Sequence, residues 1–519
     1  MVKSTAKLKK NSFTIFLDSI ETIGNKLPHP TSLFILLTGT ILILSAVFEA
    51  LQLSATHPLN GTTVKVVNLL SQDGLHKILT HTVSNFTGFA PVGTVLVAML
   101  GIGIAEYTGL IATSLRLLVE TAPKQIIAYV VVMAGVLSSL AADAGYVVLI
   151  PVAALIFLAA GRHPVAGIAA AFAGVSGGFS ANLLIGPVDA ILSGISTEAV
   201  HLVDTQYEVS AAGNYYFIVA STFVITLIGG LVTDHIIEPR MGQYKSDNQE
   251  ENKHEEPGEN NQVLSPAEKK GLWYCLMVLL IFTGLLLYGL LPEAGILRNP
   301  ETGSILKSPF ISGIVTIIAF TLGLAGIAYG IGAGTVTSDK DVIKSMESSM
   351  ASMASYIVLM FFAAQFVSYF SWTNLGLITA IKGSDLIQQL QLGPLPLLLF
   401  FIIFAASINL VIGSASAKWS IMAPIFVPML FIAGISPEAT QAAYRVGDSV
   451  TNIITPLMPY FAVVVAFVQR YDKSSGLGTI AAMMLPFSFM FLLGWSVFFI
   501  CWFSFDFPLG PGANILISR

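Results

Sequence analysis

Several charged side chains lie in a largely apolar stretch of the chain. Lys418, Arg445 and Asp448 fall between Ser414 and Pro456, among prolines and small polar residues. Charges at bilayer depth are costly unless they face a cavity or one another, so this composition predicts a functional site rather than a simple membrane anchor. A break in an apolar helix at that depth also requires protein or a water-filled cavity to satisfy its backbone.

The charged residues allow more than one kind of chemistry. Arg445 and Asp448 lie three residues apart on one helical face, so they either form a structural pair or leave the guanidinium for a substrate carboxylate. Asp189 and Asp448 would carry protons if they were desolvated, and would stay ionised beside a bound sodium ion. The sequence does not decide between coupling to protons and coupling to sodium ions. We expect Lys418 to face water at a hairpin tip.

Polar residues at the predicted helix breaks supply neutral ligands. An interrupted helix exposes N–H groups that attract anions and carbonyl groups that coordinate small cations. The candidate ligands for substrate or a sodium ion are Asn182, Asn409, Ser414, Ser416 and Asn452. The alternative is that these side chains only satisfy backbone groups at the breaks. Tyr146 and Trp419, also near hairpin tips, either pack or stack on an aromatic ligand.

The composition fixes the class of protein that must position these residues. Of 519 residues, 54% are hydrophobic and only 11% are charged, whereas soluble domains carry about 25% charged residues. The chain is therefore predicted to be an all-α polytopic membrane protein in a lipid bilayer. The net charge of −5 argues against nucleic acid as a partner. Cys275 and Cys501 lie in apolar segments and are expected to be core residues rather than a disulfide.

Two segments of the chain resemble each other, which predicts an internal repeat. At the offset that separates Pro151 from Pro424, residues match in the pairs Gly161/Gly434, Pro164/Pro437, Gly174/Gly447 and Ser176/Ser449, and Tyr146 falls on Trp419. Each half contains an interrupted apolar hairpin followed by a broken helix. Such repeats are typical of secondary transporters.

The hydropathy pattern divides the chain into six segments. They are a basic cytoplasmic N-terminus (1–31), the first scaffold spans (32–125), the first hairpin and broken helix (126–200), scaffold spans with a polar cytoplasmic linker at 237–269 (201–394), the second hairpin and broken helix (395–470), and the last span with an outer C-terminus (471–519). Within them, 53–85 is predicted to be an outer loop, 337–350 a surface helix and 373–394 an outer connection. Arg116 is placed in a cytoplasmic loop.

Counting membrane sides along these segments gives about nine transmembrane helices and two re-entrant hairpins. The first hairpin, with Asp143 near its tip, enters from the cytoplasm. The second, with 413–416 at its tip, enters from outside. The two repeats are therefore predicted to have inverted topology.

Two long motifs carry a family resemblance. SASAKWSIMAPIFVPM followed by GISPEATQAAYRVGDSVTNIITPLMPYF, and SGGFSANLLIGPVDA in the first half, resemble the AbgT family of p-aminobenzoyl-glutamate transporters. The resemblance implies a dimeric bacterial inner-membrane protein that imports p-aminobenzoyl-glutamate or exports sulfonamide antimetabolites. It also implies that the path is lined by Asp189, Trp419, Pro437, Arg445 and Asp448. The fold resembles that of sodium-dicarboxylate carriers, so sodium and the proton both remain candidate coupling ions, with no other cofactor.

Two other classes of protein fit the sequence less well. A channel needs a continuous polar pore, whereas two opposed hairpins that stop in mid-membrane favour alternating gates. A membrane enzyme needs an activated nucleophile or a metal site, and none of the eight histidines falls in an HExxH pattern. A transporter, not an enzyme, is therefore the prediction.

Overall fold

The chain is almost entirely helical in its computed structural model, which describes residues 28–56, 62–140, 145–242, 244, 264–305, 308–455, 457–458, 460–473 and 475–517. One short antiparallel pair of strands, Ser54–Thr56 with Thr63–Lys65, interrupts the helices. Within the described ranges eight helices are long and apolar enough to cross a bilayer, or nine if the bent pair Leu375–Gln389 and Pro394–Asn409 counts as one span. The predicted all-α polytopic membrane fold is confirmed.

The scaffold helices surround the two repeats. They are Pro30–Ala50, Gln72–Thr87, Ala90–Tyr107, Leu110–Glu120, Tyr215–Val232, Glu238–Met241, Pro266–Leu290, Pro309–Ser312, Ile314–Ala333, Asp339–Ser352, Ala354–Trp372, Leu375–Gln389 and Leu477–Ser504. A π-helical turn, Thr233–Ile237, joins Tyr215–Val232 to Glu238–Met241.

Local sequence sets where these helices begin. Proline stands in the first turn of several of them, where its missing N–H removes no intrahelical bond. In Pro266–Leu290 the Ser265 side chain accepts from the Glu268 N–H while the Glu268 carboxylate accepts from the Ser265 N–H. This reciprocal cap satisfies two donors that the helix itself leaves unpaired.

Both predicted hairpins are present. The first consists of Ile127–Ser138 and a second arm that starts as the π-helical turn Gly145–Leu149 and continues as Ile150–Ala159. The second consists of Pro394–Asn409 and Ala415–Ile432. Most of these arms are shorter than the 20 residues that a full crossing needs, which agrees with hairpins that turn inside the membrane. Asp143, predicted at the first tip, lies outside the described residues.

A broken helix follows each hairpin. The first comprises Pro164–Phe172, the π-helical turn Ala173–Gly177, an unwound stretch at 178–186, and Pro187–Val200. The second comprises Pro437–Val450, a break, and Phe461–Gln469. Buried apolar residues from both hairpins and both broken helices form one continuous core, so the repeats pack against each other at the centre of the protein.

The backbone repeats as the sequence pattern predicts. Gly161 and Gly434 end their hairpins with φ of 77° and 91°, in the left-handed region that glycine tolerates best. Pro164 and Pro437 then each occupy the first turn of a broken helix. The same left-handed glycine and helix-starting proline therefore mark corresponding points in the two halves.

Gly434→Ala is expected to lower the free energy of unfolding by about 1–2 kcal/mol, because a left-handed conformation costs other residues roughly that much. Nothing lies within 4 Å of the added Cβ at Gly434 or Gly161, so both variants test backbone conformation alone. Gly284→Ala, inside a helix and equally open, is the matched control and is expected to gain up to about 1 kcal/mol. Thermal melts of the purified protein in detergent compare the three. A Gly434→Ala melt that matches Gly284→Ala would contradict the left-handed turn.

Three regions differ from the sequence-based expectation. The predicted outer loop at 53–85 holds the pair of strands and the helix Gln72–Thr87. The predicted connection at 373–394 holds the helix Leu375–Gln389. Arg116 lies in the helix Leu110–Glu120, paired with Glu268, rather than in a loop. The helices in these three regions have 16, 15 and 11 residues. A search for apolar spans of about 20 residues passes over helices of this length. A helix lies at Asp339–Ser352, where the amphipathic pattern predicts one.

Candidate substrate and ion site

The helix Pro437–Val450 is the centre of the candidate site. Every one of its residues is buried, although it carries Glu438, Arg445 and Asp448. It packs against both arms of the second hairpin, against Pro187–Val200 of the first repeat and against Leu477–Ser504. Buried charges require partners, and the partners come from these neighbouring elements.

Arg445 joins the two repeats. Its Nη1 lies 2.5 Å from Asp189 Oδ1, and its Nη2 donates to the Ser180 carbonyl oxygen at 3.0 Å. Arg445 is 2% exposed and Asp189 is 3% exposed. The other Asp189 oxygen accepts from the Gly186 N–H at 2.7 Å, at the start of Pro187–Val200. Of the alternatives for Arg445, the structural pair with Asp448 does not form, because a carboxylate on the other broken helix lies closer to the guanidinium.

Asp448 pairs instead with Lys418. The Lys418 ammonium contacts Asp448 Oδ1, and the lysine is fully buried. The Tyr444 hydroxyl lies 3.2 Å from the same oxygen. The expectation that Lys418 faces water is wrong, since the residue lies inside the second arm, Ala415–Ile432, and its side chain reaches the neighbouring broken helix. Lys418 is close in sequence to the hairpin tip, which led to the expectation that it faces water. The arm begins at Ala415, so Lys418 already lies about one helical turn inside it.

Asn409 ties the end of the first arm to the second broken helix. Its side-chain nitrogen lies 2.8 Å from Thr451 Oγ1 and 2.9 Å from Asn452 Oδ1, and it also donates to the Asp448 carbonyl oxygen. Its side-chain oxygen accepts from Lys418. The structure thus brings together Asn409, Asn452 and Asp448, three of the predicted ion ligands.

The first repeat contains a similar but uncharged contact. Asn182 donates to Ser139 Oγ at 2.9 Å. Ser139 and Asn182 stand at the same offset from Asn409 and Asn452 in the sequence. Each hairpin is therefore held to its own broken helix by a polar bond at corresponding positions. The Asn452 amide also donates to the Ser176 carbonyl oxygen at 3.3 Å, which connects the two breaks.

A cavity of about 560 Å³ lies at the tip of the second hairpin. Its walls combine the tip with the first broken helix, the second break and the start of the first scaffold helix; they include Ser414, Ser416, Phe179, Val188, Ile191, Leu192, Tyr460, His29 and Leu33. Ser414 and Ser416 are the predicted site residues that line it. Asp189 follows the lining residue Val188 in the chain, and Asp189, Arg445 and Asp448 are not among the lining residues.

The sequence did not reveal the role of the chain at 28–33 in closing this cavity. Pro28, His29, Pro30 and Leu33 line it. Their segment reads as the start of an ordinary scaffold span, and no local pattern indicates which distant element it contacts.

The aromatic candidates pack inside the protein. Trp419 is fully buried with its ring 4.4 Å from that of Tyr444, and its Nε1 lies 3.0 Å from Ser196 Oγ. The Tyr146 ring lies 4.2 Å from that of Tyr460. Pro437 is buried in the first turn of its helix, where it sets the helix start. Of the alternatives for Trp419 and Tyr146, the structure shows packing.

Three polar atoms at the site are buried and have no hydrogen-bond partner among the described residues. They are Arg445 Nε, Asp448 Oδ2 and Ser180 Oγ. A buried polar atom without a partner loses its hydration with no compensation. The centre therefore retains one donor, one acceptor and one hydroxyl for a ligand or for water. The described residues contain no group of three or more His, Cys, Asp or Glu side chains that would hold a metal ion.

The comparisons with known proteins agree with this architecture. The family described as the AbgT putative transporter family matches residues 15–517. The chain is 39% identical over 493 residues to the p-aminobenzoyl-glutamate transport protein of Escherichia coli K12, covering 95% of each. The Alcanivorax borkumensis YdaH transporter is 51% identical with a TM-score of 0.88, over 93% of this chain and 100% of that one. Neisseria gonorrhoeae MtrF, described among antimetabolite efflux pumps, is 48% identical with a TM-score of 0.91, over 96% of this chain and 100% of that one.

The solved transporters match the fold of nearly the whole chain, and the family match covers both repeats. With its buried charged centre beside a hairpin tip, this chain therefore belongs to the AbgT putative transporter family.

Proposed function

We propose that this protein is a secondary active transporter that moves p-aminobenzoyl-glutamate across the inner membrane by ion-coupled alternating access. The observation that carries the proposal is the Asp189–Arg445 pair, which joins two broken helices of opposite repeats. Asp189 follows Val188, which lines a cavity at a hairpin tip. A buried pair between two moving halves stabilises one conformation until ligand or ion competes for it. The substrate is taken from the name of the relative in Escherichia coli.

The cavity suits the chemistry of that substrate. A benzamide ring fits among apolar walls that include Phe179, Ile191 and Leu192, and about 560 Å³ lies within the usual range for small-molecule sites. Two helices begin beside the cavity, at Ala415 and at Pro187. Their N-terminal N–H groups carry partial positive charge, which favours the two glutamate carboxylates. Ser414 and Ser416 add hydroxyl donors.

The sequence and the family resemblance support a proposed membrane placement and assembly. Lysines precede the first span, at Lys3, Lys7, Lys9, Lys10 and Lys26. Basic residues favour the cytoplasmic side, so the N-terminus is assigned there and the protein to the bacterial inner membrane. A homodimer is the assembly that the family resemblance supports. Transport without cleavage of the substrate is the expected activity, rather than an enzymatic one.

Proton-driven export of sulfonamide antimetabolites is the second candidate. The name of the Neisseria gonorrhoeae relative favours it. The mainly apolar wall of the cavity favours it too, because a sulfonamide shares the aniline-bearing ring of p-aminobenzoyl-glutamate but lacks its two carboxylates. The two activities differ in direction and in their need for anion-binding groups.

Labelled p-aminobenzoyl-glutamate is expected to accumulate in proteoliposomes under an imposed ion gradient. Three conditions are compared: a sodium gradient, a proton gradient and no gradient. Empty liposomes are the control, and chromatography of the recovered label checks that the amide bond is intact. Accumulation under either gradient supports the carrier. If no substrate moves under any gradient while a labelled sulfonamide does, export becomes the function; recovery of cleaved label would contradict a transporter.

A further inference from the structure

We propose that the Lys418 ammonium takes the place of a bound cation in the second repeat, and we call it a tethered cation. We also propose that the Lys418–Asp448 pair carries one coupling proton in each transport cycle. This half of the site then takes no sodium ion. The inference rests on the proposed function, since it assigns the coupling ion to named side chains of the same carrier.

The position of the Lys418 ammonium supports the inference. The group is fully buried and contacts Asp448 Oδ1 and Asn409 Oδ1. It therefore lies where the end of one hairpin arm, the start of the other and the second broken helix meet. Oxygen ligands from a helix break and a carboxylate are what a bound sodium ion would use. Here the ammonium occupies that place.

The first repeat has no charged pair at the positions that correspond to Lys418 and Asp448. At the repeat offset Lys418 corresponds to Gly145, and Asp448 corresponds to Val175. A Cβ at Gly145 would lie 2.1 Å from Ser138 Oγ, so no side chain fits there without a shift. The first half is left with the neutral oxygens of Ser139 and Asn182. A built-in cation is thus confined to the second half.

The pair has a simple proton cycle. In the packed state the proton is on Lys418, whose ammonium neutralises the Asp448 carboxylate. When the second hairpin moves away from the second broken helix, Lys418 loses the Asp448 counter-charge while it is still inside the protein. Burial without a counter-charge favours the neutral amine, so a lysine N–H bond breaks, the proton passes to water at the hairpin tip, and a neutral amine remains. Repacking would leave a lone buried carboxylate, which is strongly unfavourable. The protein can therefore return to the packed state only after Lys418 takes up one proton from the side of the membrane to which the pair is then open.

Among the residues that the structure describes, the neighbouring charges do not supply another partner for this pair. Arg445 is paired with Asp189 across the repeats. Glu438, at the other end of the same helix, accepts from the Tyr207 hydroxyl at 2.9 Å. Glu198, on Pro187–Val200, accepts from the Ala90 N–H at 3.3 Å. The other charged groups and tyrosines on the packed helices are Tyr444, which contacts Asp448, Tyr356 and Tyr369 on Ala354–Trp372, and the exposed Lys382 and Asp385 on Leu375–Gln389. Lys418 is therefore the cation that faces Asp448.

The experiment measures uptake of labelled p-aminobenzoyl-glutamate by wild-type protein, Lys418→Met/Asp448→Asn and Lys418→Ala. Wild-type uptake is expected to follow the proton gradient and to need no sodium. The double variant, which leaves no unpaired buried charge, is expected to lose proton-driven accumulation to the level of empty liposomes while exchange of internal for external substrate continues at a reduced rate. Lys418→Ala frees the carboxylate and the space beside it, so its uptake is expected to gain a sodium dependence. Lys382→Met, at an exposed lysine, is the matched control and keeps wild-type coupling.

The outcomes separate this inference from the proposed function. A wild-type protein that accumulates substrate only with sodium, or a double variant that still accumulates it under a proton gradient, overturns the tethered cation and leaves the carrier intact. A wild-type protein that moves no p-aminobenzoyl-glutamate under any gradient overturns the proposed function itself. If the double variant does not fold, Lys418→Arg decides: a guanidinium keeps its proton at any working pH, so this variant must also lose proton-driven accumulation.

Discussion

Arg445→Gln is expected to reduce uptake of p-aminobenzoyl-glutamate about 100-fold or more. Removing the guanidinium leaves the buried Asp189 carboxylate without a cation, and breaking a buried pair in this way costs about 3–5 kcal/mol. A conformational equilibrium that is displaced by that amount changes by roughly 10²-fold to several times 10³-fold. Initial uptake rates in proteoliposomes, normalised to the amount of folded protein, measure the effect.

Two further variants show whether this loss is specific. Asp189→Asn/Arg445→Gln removes both charges and is expected to recover the thermal stability of the protein, but not its transport. Arg162→Gln is the matched arginine control, because Arg162 pairs with Asp234 and Glu238 at a partly exposed turn away from the cavity. Its uptake is expected to change far less.

The hairpins and broken helices could be predicted from the sequence because the same glycine and proline positions occur in both halves of the chain. Gly161 and Gly434 are glycines at matching turns, and Pro164 and Pro437 begin matching helices. Backbone requirements of this kind act locally and therefore appear in the local sequence. Two hairpins, two broken helices and an apolar scaffold follow from them without knowledge of any side-chain contact.

The partners of the charged residues were not predictable in the same way. Helical spacing correctly places Arg445 and Asp448 on neighbouring positions, but each finds a closer partner on another element. Asp189 is far from Arg445 in the sequence, and Lys418 reaches Asp448 only because Ala415–Ile432 packs beside Pro437–Val450. Periodicity describes one helix at a time, whereas ion pairing at the centre is decided by how four helical elements meet.

Gly447→Ala is expected to lower the free energy of unfolding by about 3 kcal/mol, near the upper end of the range for overpacked cores. The Cβ would lie 2.3 Å from the Ile402 carbonyl oxygen and 2.8 Å from Ala405 Cβ, so the first arm of the second hairpin must move away from the broken helix. The same arm ends at Asn409, which holds Lys418 and Asn452. The variant is therefore expected to lose transport even in the fraction that folds, as measured by detergent melts and by uptake per folded protein.

The first repeat provides a second position at which the same prediction can be tested. Gly174 occupies the corresponding position of the first half, and a Cβ there would lie 2.3 Å from the Val132 carbonyl oxygen. Gly174→Ala should therefore destabilise the protein by a similar amount, whereas Gly284→Ala, which adds the same atom to open space, should not. Equal melts for all three variants would contradict close hairpin packing in both halves. A large loss only at Gly447 would mean that the second hairpin is the tightly held gate, since an arm that can move to accommodate a methyl group is also free to move during transport.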